Sequence, residues 1–136
     1  MNPLSERTAI VDASLVIEAM VGDSKRQQAR RLLAEYTLRA PAHIGLEVAS
    51  ALARLERSQE LPSVDTNALI ATWRGIPVET IGLELLMEDA WGLRSSLRIA
   101  DAFYAAAAIR LKCPLLTADA RLARAAIPGL AVLLIS

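Results

Sequence analysis

"LRIADAFYAAAAIRLKCPLLTAD", residues 97–119, carries the reading of the fold. From Ile99 to Leu111 it is apolar nearly all round, the mark of a helix buried on every side. Pro114-Leu115-Leu116-Thr117 then reads as a short buried strand, and "ADARLARAA" after it as a short helix. A strand apolar on both faces, framed by helices, is the rhythm of a parallel α/β sheet. The stretch also poses a chemical question. Asp101 lies among Ile, Ala, Phe and Tyr, and Asp119 comes two residues past the strand. Carboxylates in apolar surroundings carry a desolvation cost that something must offset.

Upstream, "TAIVD" (8–12) is a second buried strand that ends in an acid. "ASLVIEAMV" follows as a helix up to Gly22. "SKRQQARRLLAEY" opens with Ser24 and has Gln27 three residues later, which predicts a capping box. "LRAPA" is a brief extended piece before a helix from about His43 to Arg57. A helix over 64–75 stops at Gly75, "PVETI" (77–81) is a strand, and 83–97 is a helix with Gly92 as its candidate break. "LAVLLI" (130–135) is the last strand, and each of these strands is read as apolar on both faces. The expected architecture is a three-layer α/β/α sandwich with a mostly parallel central sheet, its ligands at the carboxyl ends of the strands.

The 136 residues suit a single domain, 1–136, with 54% hydrophobic and 22% charged residues. At 4% aromatics the core must be built from Ala, Leu, Ile and Val. Fifteen basic and fifteen acidic residues cancel, so a polyanion partner cannot be inferred from net charge and needs a local patch. A single cysteine, Cys113, excludes an internal disulfide. "MNPLSERTAIVDASLV" lacks a signal-peptide pattern, and no apolar run is long enough for a bilayer. A cytoplasmic domain with no membrane partner is expected.

Four acids stand out. Asp12 and Asp119 follow strands and so belong at the carboxyl edge of the sheet. Each also suits a helix N-cap, with Ser14 or Thr117 able to share that role, and capping does not exclude chemistry. Glu47 projects to the edge of the stripe formed by Ile44, Val48, Ala51, Leu52 and Leu55; the plainer reading is a boundary glutamate near Arg54. Asp101 is the hardest to explain structurally, since only Arg98 offers a cation within one turn of its helix. Convergence of all four would demand a counter-ion. Oxygen donors without a His/Cys cluster suit Mg²⁺ or Mn²⁺, and a lone His43 beside a lone Cys113 rules out a zinc site of that type.

"IVDASLVIEAM", Glu47 in "HIGLEVASALARL", "IADAFYAAAAIRLKCPLLTADARLARAA" and the final strand together resemble the PIN-domain ribonucleases, most closely the VapC-type toxins of toxin–antitoxin pairs. The resemblance covers essentially the whole chain in order. It implies a catalytic and metal-binding quartet at Asp12, Glu47, Asp101 and Asp119, with supporting hydroxyls at Ser14 and Thr117. It further implies Mg²⁺- or Mn²⁺-dependent endoribonuclease activity, transfer or ribosomal RNA as substrate, a VapB-type antitoxin and a homodimer.

For RNA contact, Arg26 and Arg30 in the Lys25–Arg31 cluster and Arg121 after Asp119 are the candidates, against a plain reading as solvated faces. Trp73, Trp91 and Tyr104 read chiefly as core or dimer contacts. A dehalogenase-type phosphatase would need an acid where Ser14 stands. A phospho-receiver would need a lysine at a strand end, and Lys112 precedes its strand. The remaining alternative is a catalytically weak PIN domain that binds RNA or a partner.

Overall fold

The computed structural model describes residues 7–61 and 65–135. The leader reading over 1–6 and the helix start placed at Val64 lie outside the described residues. Among the described residues five strands form one sheet: β1 (Thr8–Val11), β2 (Thr37–Pro41), β3 (Val78–Ile81), β4 (Leu115–Thr117) and β5 (Val132–Leu134). Their order is β3-β2-β1-β4-β5, and every pairing is parallel. The mostly parallel sheet expected from the strand pattern is thus wholly parallel.

Among the described residues, seven α-helices complete the sandwich: α1 (Ala13–Val21), α2 (Arg26–Ala34), α3 (Ile44–Arg57), α4 (Thr66–Gly75), α5 (Met87–Gly92), α6 (Ile99–Leu111) and α7 (Ala120–Ala123). α1 packs on α2, α3 and α4, while α6 runs across β1, β2 and β4 and packs on α5. No described helix is long and apolar enough to cross a membrane.

β1 and β4 are central, and their residues Ala9, Ile10, Val11, Leu115, Leu116 and Thr117 are fully buried. Chain connections leave β1 toward β2 on one side and return to β4 on the other. The carboxyl ends of β1 and β4 therefore flank the switch point where open α/β sheets place ligands. Val11 pairs with Leu116, and the Asp12 amide donates to the Leu116 carbonyl at 3.2 Å, so the two strand ends are level.

α6 owes its central place to alanine. Ala102 and Ala105–Ala108 are all buried, and their small side chains let the helix backbone lie close to the sheet. The chain leaves α6 through Lys112, which adopts the left-handed conformation (φ 54°), and then enters β4.

Several local expectations change. α2 starts at Arg26 with Lys25 as its cap and no side-chain cap bond, so Ser24 and Gln27 form no capping box. The turn through Asp23–Lys25 consumes Ser24, and α2 is held instead by Arg30, whose Nε donates to the Ala19 carbonyl at 2.9 Å. Residues 83–97 are not one helix but a 3-10 turn (Leu83–Leu86) followed by α5, which ends at Gly92. β3 and β5 are edge strands with exposed residues, so neither is apolar on both faces, and β5 is shorter than 130–135.

The alanine argument is open to a direct check. Ala107→Leu, at a fully buried position, is expected to lower unfolding free energy by about 1–3 kcal/mol through overpacking. Urea denaturation of parent and variant measures it, and an unchanged midpoint would refute close packing of α6 on the sheet.

Candidate active site

The four acids arrive from four different elements. Asp12 follows β1, Glu47 is in the first turn of α3, Asp101 is in the first turn of α6, and Asp119 follows β4. All four line one cleft with a volume of ≈ 760 Å³. Both strand-end acids also cap helices: the Leu15 amide donates to Asp12 Oδ1 at 3.2 Å, and the Arg121 amide to Asp119 Oδ1 at 2.9 Å. Capping and cleft placement coincide.

Asp12 is the buried member, only 5% exposed. Ser14 Oγ donates to its Oδ1 at 2.7 Å, and Thr117 Oγ1 donates to its Oδ2 at 2.5 Å. With those protons committed, the hydroxyl oxygens accept from the next backbone: Ser14 from the Ala118 amide at 3.0 Å, Thr117 from the Asp119 amide at 2.9 Å. One carboxylate thereby knits the ends of β1 and β4 together. Burial still dominates its ionisation. Desolvation pushes the Asp12 carboxyl up to about 6, the bonds from Thr117, Ser14 and Leu15 pull against that, and the Asp101 charge adds to the rise.

The other three acids lie nearer solvent and are each held separately. Tyr104, itself 1% exposed, donates its hydroxyl to Glu47 Oε1 at 2.6 Å. Burial and then the Glu47 bond and charge push the Tyr104 hydroxyl well up, so it stays a donor, and the Ala13 backbone also bonds to it. The His43 ring packs on Tyr104 (centroids 4.7 Å apart) and Phe103 (5.6 Å). Its Nε2 is 3.0 Å from the Ala100 carbonyl, which can only accept, so the proton is assigned there; buried Nδ1 has no partner among the described residues.

Asp101 and Asp119 are paired with arginines. Arg98 Nε donates to Asp101 Oδ2 at 3.2 Å, which raises the Arg98 pKa. An Arg121 Nη donates to Asp119 Oδ2 at 3.4 Å. Burial pushes the Asp119 carboxyl up, but the backbone and guanidinium bonds of Arg121 outweigh it and the net shift is downward. Both arginines are about two-thirds exposed.

Sequence reasoning placed Arg54 near Glu47 but missed Glu18 and Ser50 in the lining. Glu18 adds a fifth carboxylate, and Ser50, Ala51 and Arg54 line the cleft with Glu47. Helical spacing held the signal: Glu18 is four residues after Ser14, and Ser50, Ala51 and Arg54 are three, four and seven after Glu47. Tyr104, three residues after Asp101, was available by the same rule. Arg121 lines the cleft, whereas Arg26 and Arg30 stand on α2, away from it.

Among the described residues, no three carboxylate, imidazole or thiol side chains are gathered into a ready-made metal cage. The donor set still fits Mg²⁺ or Mn²⁺ in kind: oxygen ligands only, in a cleft with room for waters. Arg98 and Arg121 each hold Oδ2 of their acid, so an ion at Asp101 or Asp119 would share the carboxylate with an arginine or replace it at that oxygen.

The PIN domain profile matches residues 9–128. Ribonuclease VapC3 of Mycobacterium tuberculosis is 40% identical over 117 residues, 85% of each chain. Among solved structures, the M. tuberculosis sarcin-ricin loop cleaving toxin VapC20 superposes with a TM-score of 0.64 at 19% identity, over 90% of this chain and 98% of that one. VapBC2 of Rickettsia felis, bound to a DNA fragment from its promoter, gives 0.62 at 15% identity, over 93% and 97%.

Two measurements probe this geometry. Because the folded Asp12 carboxyl titrates near 6 and its ordinary value is 3.8, the fold binds that proton more tightly than the unfolded chain. Its stabilising effect is complete below about pH 4 and is lost as pH rises through about 6, a change of about 3 kcal/mol. In EDTA, urea unfolding should therefore show the parent losing that much relative to Asp12→Asn between pH 4 and pH 8; parallel profiles would exclude it. Separately, Tyr104→Phe and Glu47→Gln should be non-additive in unfolding free energy by about 1–3 kcal/mol, as expected for a hydrogen bond to a charged group. Additive losses would show the 2.6 Å contact to be energetically idle.

Proposed function

The chain belongs to the PIN-domain family, and from that premise we propose that it is a VapC-type endoribonuclease whose acidic cleft hydrolyses RNA with the help of Mg²⁺ or Mn²⁺. The observation that carries this reading is the meeting of Asp12, Glu47, Asp101 and Asp119 in one cleft at the β1/β4 switch point. The identity to ribonuclease VapC3 over most of both chains supports the reaction class.

Asp12, Glu47, Asp101 and Asp119 would hold the ion, with waters completing its shell. When bound, it supplies a Lewis acid for the phosphoryl group and lowers the pKa of the attacking water. The chain does the rest. Ser14 and Thr117 fix both oxygens of Asp12. Tyr104 fixes Oε1 of Glu47 and leaves its other oxygen without a hydrogen bond among the described residues. Arg54, Arg98 and Arg121 line the same cleft and offset the charge of an incoming phosphodiester.

A VapB-type antitoxin is the expected partner, in keeping with the likeness to VapBC2, and a homodimer the expected assembly. Transfer or ribosomal RNA is the expected substrate; the sarcin-ricin loop specificity of VapC20 favours a structured RNA of this kind.

The test is cleavage of total cellular RNA by the parent, Asp12→Asn and Asp101→Asn, with Mg²⁺, Mn²⁺ or EDTA. Cleavage is expected only for the parent with a divalent ion, with each variant reduced by at least about a hundredfold. Equal cleavage by all three proteins would overturn the reading. RNA binding without cleavage by the parent would favour the binding-module alternative.

A further inference from the structure

Two cavities share one wall. In the acidic cleft, Asp12, Glu18, Glu47, Asp101 and Asp119 face Arg54, Arg98 and Arg121. A smaller cavity of ≈ 270 Å³ adjoins it and shares Arg98, Asp101 and Arg121. There Arg124 joins the two shared arginines, and Asp101 is the one carboxylate in the lining. Across the shared wall the balance reverses, from five acids against three arginines to three arginines against one acid. The lining of the smaller cavity also includes Leu97 and Leu122.

We propose that this side pocket is an RNA subsite: Arg124, with Arg98 and Arg121, receives the backbone phosphate next to the one in the cleft. This rests on the RNA-cleaving reading above and adds the direction in which the strand leaves the site. A polyanion cannot lie along five carboxylates without cations close by, and the next phosphate on the strand must be near the reacting one. The adjoining cavity is such a place.

The three guanidiniums have capacity to spare. Arg98 spends its Nε on Asp101, and Arg121 spends one Nη on Asp119. Each keeps further N–H groups for phosphate oxygens. Arg124 has no side-chain hydrogen bond or ion pair among the described residues. The plainer account of Arg124 is a cation at a helix C-terminus, but α7 has only four residues and little dipole to complement. That same shortness is useful here: α7 is capped by Asp119 at one end and by Arg124 at the other, which fixes the cleft acid and the pocket cation on one turn.

Arg124→Ala tests the subsite, with Arg74→Ala, an exposed arginine on α4, as control. The probe is a fluorescent mixed-sequence RNA 20-mer, read by anisotropy with Ca²⁺ present, beside cleavage of total cellular RNA and of a dinucleotide with Mn²⁺. For Arg124→Ala the 20-mer Kd should weaken about five- to tenfold, and the salt slope should drop by about 0.7, the value for one phosphate contact on a single strand. Dinucleotide cleavage and Mn²⁺ affinity should match the parent, since neither reaches the pocket. Unchanged 20-mer binding, an equal loss in Arg74→Ala, or a matching loss on the dinucleotide would overturn the subsite alone. A parent that cleaves no RNA would overturn the functional reading and the subsite with it.

Discussion

A carboxylate buried at the end of the central strand is the constraint around which the molecule is arranged. Asp12 is taken out of water between β1 and β4, and that cost is tolerable only because three donors reach it, from Ser14, Leu15 and Thr117. Thr117 belongs to β4 and Leu15 to α1, so satisfying one side chain fixes the level of two strands and the start of a helix. The parallel sheet then brings Asp119 alongside, and α6, lying close on its alanines, adds Asp101 and Tyr104. Through its hydroxyl Tyr104 ties in α3 and Glu47.

The compensation is uneven, and that unevenness suits an enzyme. Asp12 remains electrostatically uncomfortable even with its hydrogen bonds made, chiefly because burial keeps water from it and to a smaller degree because of the Asp101 charge. Asp101 and Asp119 are kept by exposed arginines on long side chains, partners that cost little to release. Glu47 is kept by a rigid, buried tyrosine. The floor of the cleft is thus fixed, and its walls are held by partners that can exchange.

The strand ends and the apolar α6 were legible because burial leaves a plain trace: β-branched or leucine runs that stop at an acid. The four acids could be picked out for the same reason, since carboxylates beside apolar runs are rare enough to ask about. Their meeting in one cleft follows from a parallel sheet, in which strands end on one side. What periodicity could not supply was pairing. Nothing in "IADAFYAAAAI" says that Tyr104 will find Glu47, because that bond joins residues 57 apart. Ser24 shows the opposite failure, a good local cap motif overridden by the turn that links α1 to α2. The edge strands were misjudged because an apolar composition does not say how many neighbours a strand will have.

The bond between Thr117 and Asp12 spans 105 residues, and it closes the floor of the cleft. During synthesis, β4 and Asp119 are made after Asp12 and Glu47, so a nascent chain that holds only those two acids still lacks the floor of the cleft and its other two acids, Asp101 and Asp119. Such long-range closure is slow relative to local helix formation.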